Sequence, residues 1–166
     1  MIDEDNDLRR PRPPSDSRGF FMLPQAPMDS GYYVYGNLHG RPAKGAYQYA
    51  HPLMMTSILK VALEWQAIDK RRFGVGDISL PGGIQTLDHG GHKSGLNVDI
   101  RPLRKDGREE PVTWNDPQYD QIATYALIKL FQTYAPVQSI IFNDPGIPFL
   151  VRLKKHDDHF HLNLRG

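Results

Sequence analysis

Apolar residues recur at helical spacing after His51-Pro52, where Leu53, Ile58, Leu59, Ala62, Leu63, Trp65 and Ile68 punctuate a segment that runs to about Lys70. This pattern predicts a well-buried helix, and Pro52 suits its first turn because proline lacks the N–H that would go unsatisfied there. A second helix is predicted to open at Asn115-Asp116-Pro117, a cap followed by a proline, and to run to about Tyr134. Its inner face would carry Ile122, Ala126, Leu127, Leu130 and Phe131, and Pro136 would end it. Short apolar runs bounded by turn residues predict strands over 73–80, 96–103, 137–142, 149–153 and 159–164, with Asn143-Asp144-Pro145-Gly146 as a turn. Together these elements predict an α+β fold: two main helices packed on a mostly antiparallel sheet.

The ends of the pattern set the domain organisation. Residues 1–18 are charged and proline-rich, with too little apolar material to offset the entropy of ordering them, and are expected to form a loose N-terminal arm. Residues 19–166 then form a single domain, a size at which one hydrophobic core suffices. From Phe20 to Tyr49 the chain is aromatic and glycine-rich, which predicts an irregular segment lying over the domain. Tyr32, Tyr33, Tyr35, Tyr47 and Tyr49 in it either cover the core or line a substrate groove. No internal repeat is present.

Composition removes several function classes. The 20 basic residues are interspersed with 19 acidic ones for a net charge of +1, so there is no basic stripe to follow a phosphate backbone, and nucleic acid is not an expected partner. No apolar run approaches the roughly 20 residues of a membrane-spanning helix, so no membrane insertion is expected. The first residues, Met1-Ile2-Asp3-Glu4-Asp5, have neither a basic nor an apolar leader region. With no cysteine in the chain, disulfides, thiolate metal sites and a cysteine nucleophile are all excluded. A metal would have to be held by histidine and carboxylate, the donor set of catalytic sites that keep an open position.

Candidate chemistry concentrates in two places. Five of the seven histidines fall in Asp88-His89-Gly90-Gly91-His92 and in His156-Asp157-Asp158-His159-Phe160-His161. The first cluster leads to Asp99, which sits between Val98 and Ile100 in a predicted strand. A carboxylate in that setting needs a cation, hydrogen-bond donors or a metal; Arg101 could pair with it, or it could cap a turn. In the second cluster, strand alternation puts His159, His161 and Asn163 on one face and Phe160, Leu162 and Leu164 on the other. Taken alone, a His-x-His pair is compatible with merely hydrogen-bonded histidines. His39 and His51 lie apart from both clusters, with loop or helix-cap roles as the default.

The run from His89 to Asp99, followed by His156-x-x-His159-x-His161, resembles the penicillin-insensitive murein endopeptidases, part of a wider group with the lysostaphin-type and D-Ala-D-Ala peptidases. Likeness is clearest over residues 81–103 and 154–164, and weaker around Tyr32-Tyr33-Val34-Tyr35-Gly36. The resemblance implies one Zn²⁺ bound by His92, Asp99 and His161, with His159 and His156 catalytic and His89 an additional active-site histidine. Asn97 stands where those enzymes more often have Asp. It also implies hydrolysis of a peptidoglycan amide, most directly the D-Ala to meso-diaminopimelate crosslink, in the periplasm or cell wall.

Two questions stay open at this level. Asp158 lies three residues before His161, where related peptidases place a carboxylate base, so it rivals His159; in a regular strand it would point away from the His159 face, and only a bend before the strand would change that. Substrate carboxylates could be met by Lys93, Arg101 or Arg104, or these could be solvated surface charges. The competing classes are a non-catalytic zinc module that binds wall, and a phage structural domain whose histidines bind nothing. Without a leader, the route to the wall would be phage lysis, specialised secretion or a leader already removed, and a secreted effector would imply an immunity protein as partner.

Overall fold

A computed structural model describes residues 14–25, 29–35, 37–38, 41–42, 47–84 and 91–166. Its centre is a five-stranded sheet in the order β2-β6-β7-β9-β8, made of β2 (Tyr32–Val34), β6 (Phe73–Val75), β7 (Asn97–Ile100), β8 (Val137–Ile141) and β9 (Phe160–Leu164). Only the β2–β6 pair is parallel. Two small antiparallel pairs lie outside it: β1 (Phe21–Met22) with β5 (Tyr49–Ala50), and β3 (Asn37–Leu38) with β4 (Arg41–Pro42). Helices α1 (Pro52–Gln66) and α2 (Gln121–Tyr134) pack on each other and cover one sheet face, which gives the α+β architecture read from the pattern. Among the described residues no helix is long and apolar enough to cross a membrane.

Helix α1 starts where its sequence says. His51 caps it by accepting the Leu53 N–H at Nδ1 (3.1 Å), and Pro52 occupies the first turn. Its buried stripe is Met54, Ser57, Ile58, Val61, Ala62 and Trp65; Leu59, Leu63 and Ile68 face solvent, so the helix is buried along one side only. Helix α2 begins later than predicted. Asp120, not the Asn115-Asp116-Pro117 run, is its cap, accepting the Ala123 N–H at 3.0 Å. Residues before it form turns because Asp116 bonds the Gln118 N–H and Tyr119 is drawn inward, its hydroxyl 2.5 Å from buried Asp144. The later start shifts the inner face to Ala123, Thr124, Leu127, Ile128 and Phe131, leaving Ile122 84 % exposed.

Three predicted strands are shorter or absent. The 73–80 run leaves the ladder after Val75, because Ile78 N–H turns to Tyr47 C=O and Ser79 bridges Gln48. The 96–103 run pairs only over Asn97–Ile100. The 149–153 run is not a strand: Phe149 has a positive φ of 63°, incompatible with extended backbone, and only Val151 bridges Ile141. Near the N-terminus, residues 1–13 of the predicted arm lie outside the described residues. Residues 14–18 are tied to the domain through Arg18, whose guanidinium donates to Ser79 Oγ and the Leu80 and Lys93 carbonyls while pairing with Asp16.

The sheet has one packed and one polar face, and that division creates the site. Val98, Ile100, Phe160, Leu162 and Leu164 point into the core beneath the helices. The intervening residues Asn97, Asp99, His161 and Asn163 therefore share the opposite face. Tyr32, Tyr33, Tyr47 and Tyr49 are buried, the core-covering alternative, whereas Tyr35 reaches the polar face and lines its cleft.

Candidate active site

Register does the first half of the assembly. The antiparallel β7–β9 pair sets Asp99 opposite His161 and Asn97 opposite Asn163, so residues 62 apart in sequence meet side by side, with His161 Nδ1 2.8 Å from Asp99 Oδ1. A loop does the second half. Residues 91–96 fold back over the end of α1 through Gly95, whose φ is +71° and whose Hα faces the His51 backbone so closely that a Cβ would stand 2.6 Å from its nitrogen. That turn brings His92 into the sheet face, its Nε2 3.3 Å from Asp99 Oδ2 and its ring edge-on to His161 at 4.8 Å.

Acceptors stand on both sides of the two rings. His92 Nδ1 lies 3.1 Å from the Ile78 carbonyl, which can only accept, so a proton held on this nitrogen leaves Nε2 able to present its lone pair on the Asp99 side. His161 Nε2 lies 3.1 Å from Asn163 Oδ1. The amide orientation of Asn163 is set by its Nδ2 donating to Ser139 Oγ at 2.9 Å and by the Asn97 amide donating to its Oδ1. Given to a metal at Nδ1, His161 would carry its proton on Nε2, where the Asn163 Oδ1 accepts it.

With both rings turning a lone pair toward the carboxylate, the three groups would offer a cation two nitrogens and an oxygen. One ligand atom from each of His92, Asp99 and His161 lies within 4.8 Å of the others, compared with edges of about 3.4 Å in a tetrahedral zinc site with bonds near 2.1 Å. The contacts to Asp99, 2.8 Å from His161 and 3.3 Å from His92, are already no longer than such an edge, so the three residues could hold a metal ion. Without one, imidazole N–H groups satisfy the carboxylate: burial pushes the Asp99 pKa up, but hydrogen bonds from His161 and His92 outweigh it and hold the group well below the ordinary range. Burial pulls His92 down, and Asp99 more than reverses this.

Beside the cluster stand the other two histidines. Residues 157–158 form a bend, so Asp158 does not point away; it lines the same cleft as His159 and bonds it, Oδ1 to Nδ1 at 2.8 Å. This fixes the His159 proton on Nδ1 and leaves Nε2 facing Asp99 Oδ1 at 3.8 Å. Burial lowers the His159 pKa, while Asp158 and Asp99 together bring it above its usual value. His156 gives its Nδ1–H to the Lys154 carbonyl at 2.9 Å, with its ring 4.9 Å from that of His159 and 5.9 Å from that of His161. Its Nε2 can therefore accept a proton, and can donate only as imidazolium.

The cleft, about 210 Å³, is lined by Tyr35, Asp77, Asp99, Arg101, Pro111, Asp158 and His159. Arg101 stacks over the Tyr35 ring, 3.8 Å from its centroid, and hydrogen-bonds Tyr33. Burial, then the Asp99 charge, raises the Tyr35 phenol well above its normal pKa, so it stays protonated. Of the residues singled out in the sequence, His92, Asp99, His156, His159, His161, Asp158 and Arg101 gather here, and His89 lies outside the described residues.

Several contributors went unnoticed in the sequence. Asp77 reaches the cleft through the β6–β7 edge, where Asp99 N–H bonds its carbonyl at 3.0 Å, and no local pattern marks it. Asp157 holds the bend before β9 by accepting from Trp114 Nε1 and Asn143 Nδ2. Alternation had already placed Asn163 on the His161 face of the strand, but without marking it as a partner of that ring.

An α+β domain with a three-ligand histidine and aspartate cluster in an open cleft, flanked by two further histidines, has the apparatus of a hydrolase. The chain belongs to the penicillin-insensitive murein endopeptidase family, whose model matches residues 39–140, well over half of the 166. It is therefore a peptidase of murein, acting on the cell wall. That match includes His92 and Asp99 and ends before the second histidine cluster. No curated protein matches the chain.

Proposed function

We propose that the protein is a zinc-dependent endopeptidase that cleaves the D-Ala to meso-diaminopimelate crosslink of peptidoglycan, with His92, Asp99 and His161 as metal ligands. The observation that carries this is the convergence of His92 Nε2 and His161 Nδ1 on the Asp99 carboxylate, with an acceptor, Ile78 C=O or Asn163 Oδ1, behind each ring to take the proton that a metal ligand must keep on its other nitrogen. Zinc bound there would polarise the scissile carbonyl and bring the pKa of water to about 7.

His159 is the proton acceptor for the attacking water, because its Nε2 faces the ligand cluster while Asp158 holds Nδ1–H. Asp158 is then a positioning residue, and the two rivals of the sequence become one pair. His156, in its imidazolium form, would stabilise the developing oxyanion and pass a proton to the departing amine. Arg101, held flat on Tyr35, is suited to a free carboxylate next to the scissile amide.

Purified sacculi incubated with the protein, with and without a chelator, test this when the products are read by mass spectrometry. Release of uncrosslinked muropeptides that stops with chelation and returns with zinc is expected. Cleavage that persists in chelator sinks the zinc assignment, and products cut at another amide sink the bond assignment.

A further inference from the structure

We infer that residues 149–155 form a second contact surface for polymeric murein, outside the cleft, that takes up peptide carboxylates and sugar faces of the strand being cut. This rests on the murein reading above. Three large apolar side chains stand out on it, Phe149 at 50 %, Val151 at 50 % and Leu153 at 54 % exposure, interleaved with exposed Arg152, Lys154 and Lys155. No acidic residue occurs from Pro145 through His156, so the stretch is uniformly cationic. Lys129 adds to it, its Nζ 5.8 Å from the Phe149 ring centroid, while Tyr125 packs that ring from the side at 6.2 Å.

The backbone beneath these side chains is fixed. Val151 N–H donates to Ile140 C=O and its carbonyl accepts from Phe142 N–H, both at 2.9 Å, while Leu153 N–H reaches Asn143 Oδ1 at 3.0 Å. Phe149 and Lys155, the non-glycine residues with positive φ among the described residues, bracket the segment at 63° and 68°, a conformation that costs energy and persists where surroundings impose it. Lysines along a sheet edge would by themselves serve to discourage edge pairing. Alternating large apolar side chains work against that purpose, and a rigid cationic surface with apolar points fits a ligand that is both anionic and rich in C–H faces.

Nearness along the chain to a site histidine, together with charge, selects the ligand. The Lys154 carbonyl holds the His156 ring, and Phe149 is seven residues away, hence no farther than about 25 Å along the chain. A murein strand lying in the cleft extends over that distance and supplies stem-peptide carboxylates for Arg152 and Lys154. Sugar rings would lie on Phe149.

The test is cosedimentation with purified sacculi in chelator, comparing the wild type with Arg152→Gln/Lys154→Gln and with Phe149→Ser. Thermal unfolding serves as a fold check, and hydrolysis of a glycan-free crosslinked peptide dimer reads the cleft separately. We expect each variant to bind sacculi at least fivefold more weakly, the charge variant to lose most of the salt dependence, and dimer hydrolysis to fall by far less than binding. Wild-type pelleting by both variants overturns the surface, as does a fall in dimer hydrolysis equal to the fall in binding. So does variant-sensitive binding to anionic lipid vesicles without any to sacculi. Sacculus binding that depends on these residues, with no muropeptide released in zinc, would instead sink the hydrolase reading and leave the surface standing.

Discussion

Replacing Asn163 by alanine should separate metal binding from folding more cleanly than removing a ligand. Its Oδ1 lies 3.1 Å from His161 Nε2, where it accepts the proton that the ring must keep there when Nδ1 binds a metal. Without that acceptor the ring gains less by leaving Nδ1, the nitrogen 2.8 Å from Asp99 Oδ1, unprotonated, and a proton there competes with a metal. Outer partners of metal-bound histidines contribute about 10- to 100-fold in affinity, which is about 1.4 to 2.8 kcal/mol. Folding should suffer at the lower end of the roughly 1–3 kcal/mol expected when partners are orphaned, because Ser139 and Asn97, which also bond Asn163, are only partly buried. Zinc affinity would be measured by competition with a chromophoric chelator on samples matched by circular dichroism. Asn163→Asp, which retains an acceptor at the same place, should stay within a few-fold of wild type. An alanine variant that binds zinc within twofold of wild type, or an aspartate variant that falls as far as alanine, would refute the tautomer reasoning.

Two further outcomes follow from the same geometry. His159→Ala should lower turnover on a crosslinked muropeptide by about 10²- to 10⁴-fold, the range for a general base, and Asp158→Ala by about tenfold; near-normal turnover in the former rejects His159 as base. Acid stability should depend on the Asp69–Arg71–Asp120 network. The Arg71 hydrogen bond lowers the Asp69 pKa, and for Asp120 burial acts upward but the Ala123 N–H and Arg71 prevail. Both folded values lie below the unfolded value near 3.9, so this stabilisation is complete above about pH 4 and is lost as pH falls through the folded values. Asp69→Asn/Asp120→Asn, which keeps a competent helix cap, should unfold with a shallower dependence on pH below about 4 in denaturant titrations; an unchanged slope rules the network out as a source of acid sensitivity.

Local rules succeeded where a single residue's chemistry dominates its surroundings. His51-Pro52 announced the start of α1 because capping and the missing proline N–H act within one turn. Alternation in residues 159–164 separated the packed Phe160, Leu162 and Leu164 from the polar His161 and Asn163, since the pleat has a period of two. The same rules failed where a tertiary partner outbid them. Tyr119 and Asp144 drew the chain inward and postponed α2 to Asp120, and a left-handed Phe149 turned a β-like run into an exposed bracket.

By itself the sequence determined the donor set: no cysteine, two histidine clusters, and an aspartate set among apolar neighbours, which between them restrict any metal to nitrogen and oxygen ligands. Tertiary structure alone decided which atoms face one another. The β7–β9 register placed Asp99 opposite His161, a bend held by Asp157 turned Asp158 toward His159, and acceptors at Ile78 and Asn163 came to stand behind the two rings. The reason is physical: residue identity sets what a group can donate or accept, whereas direction depends on backbone pairing between segments up to 62 residues apart, and no local pattern encodes that pairing.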